Sequence, residues 1–167
     1  KMFYADKCIG CGACKSVCPS PKKCLLCSRC GDVCPTGAVS VCGKRRSVRD
    51  ILSEVLRDRD FYGLDGGVTF SGGECMLQID FLETLLKACK ESGLHTCVDT
   101  AGNVPFEFFE RVLPFTDLFL YDIKAVSPEK HSAWTGADNA RILSNFNRLY
   151  QVGAKIAVRI PVIPERN

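Results

Sequence analysis

The chain opens on the stretch CIGCGACKSVCP (residues 8–19), which is followed closely by CLLCSRCGDVCP (residues 24–35). Both stretches have the spacing Cys-x2-Cys-x2-Cys-x3-Cys-Pro. Cysteines that serve only as small core residues do not explain such a repeat, because packing requires an apolar side chain and not a fixed cysteine spacing. The repeat therefore indicates that the eight cysteines are ligands.

Eight thiolates in this arrangement are typical of the bacterial ferredoxins with two [4Fe–4S] clusters, in which the fourth cysteine of each run binds the other cluster. The pattern assigns four cysteines to each cluster: Cys8, Cys11, Cys14 and Cys34 to one, and Cys24, Cys27, Cys30 and Cys18 to the other. Zinc sites and secreted disulfide frameworks also use paired cysteines, and both remain alternatives. Cys42 is a spare candidate ligand, whereas Cys89 and Cys97 lie on apolar faces and are expected in the core.

The composition is that of an ordinary globular protein. The 167 residues are 46% hydrophobic and 25% charged, which predicts one domain with a small module. A formal net charge of +3 is too small to indicate a nucleic-acid or membrane partner, and no run approaches the ~18 apolar residues of a membrane span. Cysteines with cluster spacing are typical of a reducing compartment, so we expect a cytoplasmic location.

Two domains are predicted, a ferredoxin-like module over residues 1–43 and a second domain over residues 44–167 that begins with a short basic hinge. Beyond the hinge, the hydrophobic pattern alternates between strands and helices. Strands are predicted at Val68–Phe70, His95–Asp99, Asp117–Ile123 and Lys155–Ile160. Helices are predicted at Ser47–Arg59, Asp80–Ser92, Pro105–Leu113, from Ser127 and at Asp138–Gln151.

Local signals mark several helix ends. Asp80 and Glu83 predict a capping box at the start of one helix, and Gly93 predicts its end. Ser127 and Pro128 predict the N-cap and first position of another helix. Alternating strands and helices predict an α/β fold with a parallel sheet, and in the simplest strand order Val68–Phe70 and Lys155–Ile160 are its open edges.

Polar or small residues follow every predicted strand. In parallel sheets the carboxyl ends of the strands build the binding site. The candidates are Gly72, Gly73, Glu74, Asp99, Thr100, Asp122, Lys124 and Arg159. A carboxylate beside a glycine turn suits an amine, and lysine with arginine suits a carboxylate, so together they favour a ligand with an amino-acid moiety.

Four motifs occur in order after the cysteine runs: VTFSGGE (68–74), DTAG (99–102), DIK (122–124) and RIPVIP (159–164), with HSAWTG at 131–136. With this ordered set, the chain resembles the glycyl-radical enzyme activating enzymes of the radical S-adenosylmethionine superfamily, the group that includes pyruvate formate-lyase activating enzyme. His131 and Trp134, like His95, are interpreted as structural residues.

The resemblance implies an incomplete parallel (β/α)6 barrel that binds S-adenosylmethionine. The segment Gly72–Glu74 would hold the methionyl amine, and Lys124 and Arg159 would hold the carboxylate. Asp99, Thr100 and Asp122 would line the same site and hold a monovalent cation. The implied reaction is reductive cleavage of S-adenosylmethionine, whose 5′-deoxyadenosyl radical removes a hydrogen from a glycine of a partner glycyl-radical enzyme. The resemblance also implies a flavodoxin or ferredoxin-type electron donor.

The sequence departs from the family at the catalytic cluster loop, Cys-x3-Cys-x2-Cys. Cys14 and Cys18 would need a third cysteine at Pro21, and Cys30 and Cys34 would need one at Gly37. We therefore expect an internal fragment, inactive alone, whose third [4Fe–4S] cluster and first strand belong upstream and whose last strands lie downstream. Cys75 stands where proline is common and is interpreted as a tolerated turn residue.

Two other functions remain open at this point. One is a dicluster ferredoxin-type electron-transfer protein without radical chemistry. The other is a partner-docking domain without a bound cofactor.

Overall fold

The computed structural model describes residues 2–20, 22, 24–25, 27–40, 42–63 and 66–164. The chain divides into two compact units, Lys1–Arg46 and Ser47–Asn167. The division falls within a few residues of the boundary that the sequence predicts at residues 43 and 44. In the described part of the chain, no helix has both the length and the apolar character needed to cross a membrane.

The first unit is built from short elements. Strand β1 (Met2–Phe3) pairs antiparallel with β2 (Val39–Ser40), so that the two ends of the unit meet. Between them lie two single-turn helices, α1 (Ala13–Ser16) and α2 (Arg29–Asp32). The buried apolar residues described in this unit are Cys30, Ala38 and Val39.

The second unit is an α/β domain with a four-stranded parallel sheet. Its helices are α3 (Val48–Arg57), α4 (Ile79–Glu91), α5 (Phe106–Val112), α6 (Pro128–Thr135) and α7 (Ala140–Gln151). Its strands are β3 (Gly67–Phe70), β4 (His95–Thr100), β5 (Leu118–Asp122) and β6 (Ile156–Arg159). The strand order is β3-β4-β5-β6, which confirms the predicted fold class and the two predicted edge strands.

The described helices that connect the strands lie on one face of the sheet. Crossovers between parallel strands are right-handed, so a strand order that never reverses places the connecting helices α4 to α7 on the same side. On that side Val98, Phe119 and Tyr121 are fully buried, and the ring of Phe109 lies 5.8 Å from that of Phe119. The helices α3 and α4 contribute further apolar side chains to the same core.

The other face of the sheet is open. Its strand residues alternate with the core residues: Thr69 is exposed, Asp99, Leu120 and Asp122 are half-buried, and Cys97 is buried. A parallel sheet with helices on one face only is the arrangement of a β/α barrel wall, whereas a doubly wound sheet is covered on both faces.

The structure corrects one local prediction and confirms two. The capping box at Asp80 and Glu83 is wrong, because α4 begins at Ile79 and the carboxylates bind Arg111 instead, at 2.7 Å (Asp80 Oδ1 to Nη2) and 2.9 Å (Glu83 Oε2 to Nε). Gly93 ends α4 with a φ of +75°. Ser127 caps α6 by accepting the Lys130 amide at 3.2 Å.

Asp117 joins three elements at the amino-terminal end of the sheet. Its carboxylate accepts the Lys90 ammonium of α4 at 2.7 Å and the Thr96 amide of β4 at 2.8 Å. Partial burial acts against ionisation of Asp117, but the hydrogen bonds from Lys90 and Thr96 outweigh it and lower the pKa of this carboxyl. The ionised carboxylate therefore stabilises the fold.

We expect Asp117→Asn to lower the free energy of unfolding by about 1.5–3 kcal/mol at pH 7, the usual value of hydrogen bonds to a charged group. Because the folded pKa is lowered, this contribution is present above the unfolded pKa of about 3.9 and is lost as the pH falls through the folded pKa. Urea unfolding followed by the fluorescence of Trp134, the single tryptophan, measures this difference at pH 7 and pH 3. The control Glu110→Gln removes an exposed ion pair with Arg148 and should change little. A difference that is the same at both pH values would contradict the assignment.

Candidate functional site

Three neighbouring strands bring charged side chains together at their carboxyl ends. Asp122 of β5 lies opposite Arg159 of β6 in the sheet register. The Nε of Arg159 donates to Asp122 Oδ1 at 2.9 Å, and its Nη2 forms an ion pair with Asp99 of β4. Lys124 donates from Nζ to the second oxygen of Asp122 at 3.0 Å. The structure thus places four of the predicted residues in one cluster, which we call the rim cluster.

The rim cluster is electrically balanced, with two carboxylates and two cationic groups. Partial burial opposes ionisation of Asp122, but hydrogen bonds from Lys124 and Arg159 lower the pKa of its carboxyl. The hydrogen bond to Asp122 raises the pKa of Arg159 in return. Both shifts favour the charged forms of Asp122 and Arg159. Because the Nε and Nη2 contacts use only two of the five N–H donors of Arg159, others are available to a ligand carboxylate.

Glu74 and Thr100 form a second group, behind the rim cluster. The Thr100 hydroxyl donates to both carboxylate oxygens of Glu74 at 2.9 Å. The same carboxylate accepts the amides of Ala101 at 3.0 Å and Met76 at 3.2 Å. Thr100 is buried on the helix-covered face, since it alternates with Asp99 along β4. The predicted site residues are therefore divided between two groups.

The glycines before Glu74 leave open space beside both groups. Gly72 has a φ of +145°, a conformation that favours glycine. A Cβ placed on Gly72 or Gly73 would meet no atom within 4 Å, and both residues are exposed. A ligand can therefore approach the backbone of this turn closely.

Cys75 lies between the two strands that carry these groups. Its thiol donates to the carbonyls of Phe70 and Asp99 at 3.5 Å each. Burial, together with the charge of Glu74, raises the pKa of the Cys75 thiol to about 12. The neutral Cys75 thiol connects the ends of two strands, which is a structural role for a turn residue. A protonated thiol is also a poor metal ligand.

A cavity of about 590 Å³ adjoins the rim cluster at Lys124. Its wall includes Trp134 of α6 and Pro161 and Ile163 after β6. The volume is in the range of small-molecule pockets. His131, which is buried, donates from Nδ1 to the carbonyl of Ala137 at 2.9 Å and so shapes the turn after α6.

Sequence reasoning missed the residues that hold the loop after β4. Gly102 has a φ of +74°, and a Cβ there would lie 1.9 Å from the hydroxyl of Tyr121. Asn145 of α7 donates to the carbonyls of Gly102 and Val104, at 2.8 Å each. The signal that could have found Asn145 is its place in the apolar stripe Ile142–Asn145–Leu149, where a polar side chain needs a partner.

The predicted cluster ligands all lie in the first unit. Cys30 is buried, and the other seven are exposed or half-buried. Gly10 and Gly12 have φ values of +69° and +75°, so the backbone between the first three cysteines curls tightly. A backbone hydrogen bond from Val39 lowers the pKa of Cys34, which favours the thiolate that ligation needs.

Among the described residues, no three His, Cys, Asp or Glu side chains are close enough to hold a single metal ion. A four-iron cubane holds its thiolates further apart than one ion does. The assignment of the eight cysteines to two clusters stays a prediction. Cys89 and Cys97 are buried, as expected of core residues.

Comparison with protein families gives two matches along the chain. The radical SAM superfamily model matches residues 18–167, and the 4Fe-4S binding domain model matches residues 2–21. The chain therefore belongs to the radical SAM superfamily. This membership disfavours the alternative of an electron carrier without radical chemistry.

Comparison with individual relatives gives a narrower group within the radical SAM superfamily. The chain is 43% identical over 177 residues to the trans-4-hydroxy-L-proline dehydratase activating enzyme of Clostridioides difficile, covering 97% of this chain and 59% of that protein. It is 40% identical over 125 residues to the pyruvate formate-lyase-activating enzyme of Streptococcus mutans serotype c, covering 71% of this chain and 48% of that protein. These relatives are glycyl-radical enzyme activating enzymes. The chain spans only about half to three fifths of their length.

A solved structure gives the same result. The crystal structure of a domain of pyruvate-formate lyase-activating enzyme from Bacteroides vulgatus superposes with a TM-score of 0.57 at 35% identity. The superposition covers 61% of this chain and 63% of that one. The resemblance stated from the motifs is thereby confirmed at the level of family and fold.

We expect Gly102→Ala to destabilise the second unit by about 2–4 kcal/mol, because the new Cβ both strains the backbone and overlaps the buried Tyr121 ring. Gly136→Ala is the matched control. Gly136 has a φ of +75° but no atom within 4 Å of a Cβ, so about 1 kcal/mol is expected. Urea unfolding monitored by Trp134 fluorescence measures both variants. Equal losses would show that the contact with Tyr121 does not matter.

Proposed function

We propose that this chain forms the S-adenosylmethionine-binding and electron-relay part of an activating enzyme that installs a glycyl radical on a partner enzyme. The observation that carries the proposal is the rim cluster, which combines paired cations and carboxylates at the strand ends of a radical SAM fold. Its relatives, named as activating enzymes, support the same reaction class.

The amino-acid moiety of S-adenosylmethionine fits the two groups described above. Lys124 and Arg159 offer N–H donors to the ligand carboxylate. The open backbone of Gly72 and Gly73, together with Glu74, offers acceptors to the amine. The charges complement each other, because the zwitterionic moiety adds no net charge to a balanced cluster.

Asp99 and Asp122 are proposed to hold a monovalent cation next to this moiety. The guanidinium of Arg159 lies between the two carboxylates, which supports a positive group at this position. Thr100 acts here through Glu74, to which its hydroxyl is committed.

The eight cysteines of the first unit are proposed to hold two [4Fe–4S] clusters, which supply low-potential electrons when bound. The electrons would come from a flavodoxin or ferredoxin-type donor. Cleavage of S-adenosylmethionine also needs a cluster on a Cys-x3-Cys-x2-Cys loop, a spacing that the 167 residues do not contain. We therefore expect the chain alone to bind S-adenosylmethionine without cleaving it.

Binding is tested by equilibrium dialysis of radiolabelled S-adenosylmethionine against the anaerobically reconstituted chain. Lys124→Ala should weaken the affinity about tenfold or more, since it removes a charged hydrogen bond to the ligand. Lys87→Ala is the control, because Lys87 is an exposed lysine on α4 that does not line the cavity at Lys124. Equal affinity of the two variants would contradict the assignment, and no saturable binding by the unmodified chain would overturn the proposed function.

The cluster count is tested separately by iron and sulfide analysis. Two [4Fe–4S] clusters predict about eight irons per chain. Cys27→Ser should reduce this number, since it removes a ligand, whereas Cys42→Ser should leave it unchanged. A count near four in the unmodified chain, or an equal loss in both variants, would contradict the predicted ligand set.

A further inference from the structure

Two buried asparagines bind the loops that follow strands β4 and β5. Asn139 is 1% exposed and Asn145 is 3% exposed. Asn145 donates from its carboxamide nitrogen to the carbonyls of Gly102 and Val104 in the loop after β4. Asn139 donates in the same way to the carbonyls of Ala125 at 3.0 Å and Val126 at 2.9 Å in the loop after β5.

Neither asparagine side chain stabilises its own helix, α7. Asn139 is the N-cap of α7, a position where asparagine usually accepts an amide of the first turn, but its side chain makes no such bond. Asp138 accepts the Ala140 amide instead, at 3.0 Å. Asn145 lies in the interior of α7, where asparagine is a weak helix former and a buried amide needs partners. Both asparagine side chains therefore stabilise the loops whose carbonyls they bind, and not helix α7.

A chain of hydrogen bonds connects Asn145 to Glu74. Asn145 holds the carbonyl of Gly102, whose amide donates to the Thr100 hydroxyl at 3.0 Å. The Thr100 hydroxyl donates in turn to Glu74 at 2.9 Å. The orientation of the Glu74 carboxylate thus depends on a side chain that lies outside the site.

Asn139 has the corresponding place behind Lys124. The two carbonyls that it holds belong to the residues directly after Lys124, and Ala125 is itself buried. The path of the backbone after Lys124 is therefore fixed by the carboxamide, while the Lys124 side chain stays exposed beside Asp122.

We propose that Asn145 and Asn139 are positioning residues for the amino-acid moiety of S-adenosylmethionine, Asn145 through Glu74 and Asn139 through Lys124. This inference rests on the proposed function. Each residue uses both donor hydrogens of its amide on two carbonyls, a role that an aspartate of the same shape cannot fill because it has no donor and would face the carbonyl oxygens with a charge. Asn→Asp therefore removes the positioning while it keeps the size.

The experiment compares Asn145→Asp and Asn139→Asp with Asn147→Asp, an exposed asparagine of the same helix. The affinity of the reconstituted chain for S-adenosylmethionine is measured by equilibrium dialysis well below the unfolding midpoint of each variant. 5′-Methylthioadenosine, which lacks the amino-acid moiety, is measured as a competitor. We expect each buried variant to bind S-adenosylmethionine about tenfold more weakly and 5′-methylthioadenosine within about twofold of the unmodified chain, with no change in Asn147→Asp.

The comparison of the two ligands separates positioning from general support of the fold. An equal loss for both ligands, or an unchanged affinity for S-adenosylmethionine, would overturn the inference while leaving the proposed function intact. Asn145→Ala, which removes the donors without adding a charge, gives the same comparison if Asn145→Asp does not fold. Absence of binding by the unmodified chain would overturn the proposed function and this inference together.

Discussion

The right-handed crossover between parallel strands is the constraint on which the second unit depends. With the strand order β3-β4-β5-β6, it places the connecting helices α4 to α7 on one face of the sheet. That face takes the apolar residues, including the fully buried Val98, Phe119 and Tyr121. The opposite face is left without a helical cover, so its polar residues at the strand ends need no apolar partners and can meet a ligand.

Because side chains alternate along β4, the residues of the site lie on both faces of the sheet. Asp99 points to the open face and pairs with Arg159, while the next residue, Thr100, points to the helices and binds Glu74. Charges are thus kept where solvent and ligand reach them, and the neutral hydroxyl is buried. The hydrogen-bond chain from Asn145 to Glu74 then connects the packed face to the open one. The packed helices thereby hold the Glu74 carboxylate in a fixed orientation before a ligand binds.

Sequence alone predicted the strands, their order and the charged strand ends, because these follow from local patterns. An apolar run that ends in Asp99 or Asp122 has the same meaning wherever it occurs. The false capping box shows the limit of such patterns: Asp80 and Glu83 have the right spacing, but Arg111, 28 and 31 residues further on, binds both carboxylates. Asn139 and Asn145 were missed for the same reason, since their partners lie in loops 13 to 43 residues away. Long-range hydrogen bonds are set by the packing of whole elements, which no short pattern contains.

The two units differ in the interactions that stabilise them. This difference concerns the role of the cysteine repeat at residues 8–35. The second unit has a core of many buried apolar side chains, whereas in the described part of the first unit only Cys30, Ala38 and Val39 are buried apolar residues. A segment of this size cannot stabilise itself by apolar burial, and one of its three buried side chains is itself a predicted ligand. The proposed ligation would supply folding free energy here, as metal binding does in other small metal-binding domains. On the proposed ligation, the eight cysteines would be both the redox centre and the core of their unit, in place of an apolar core.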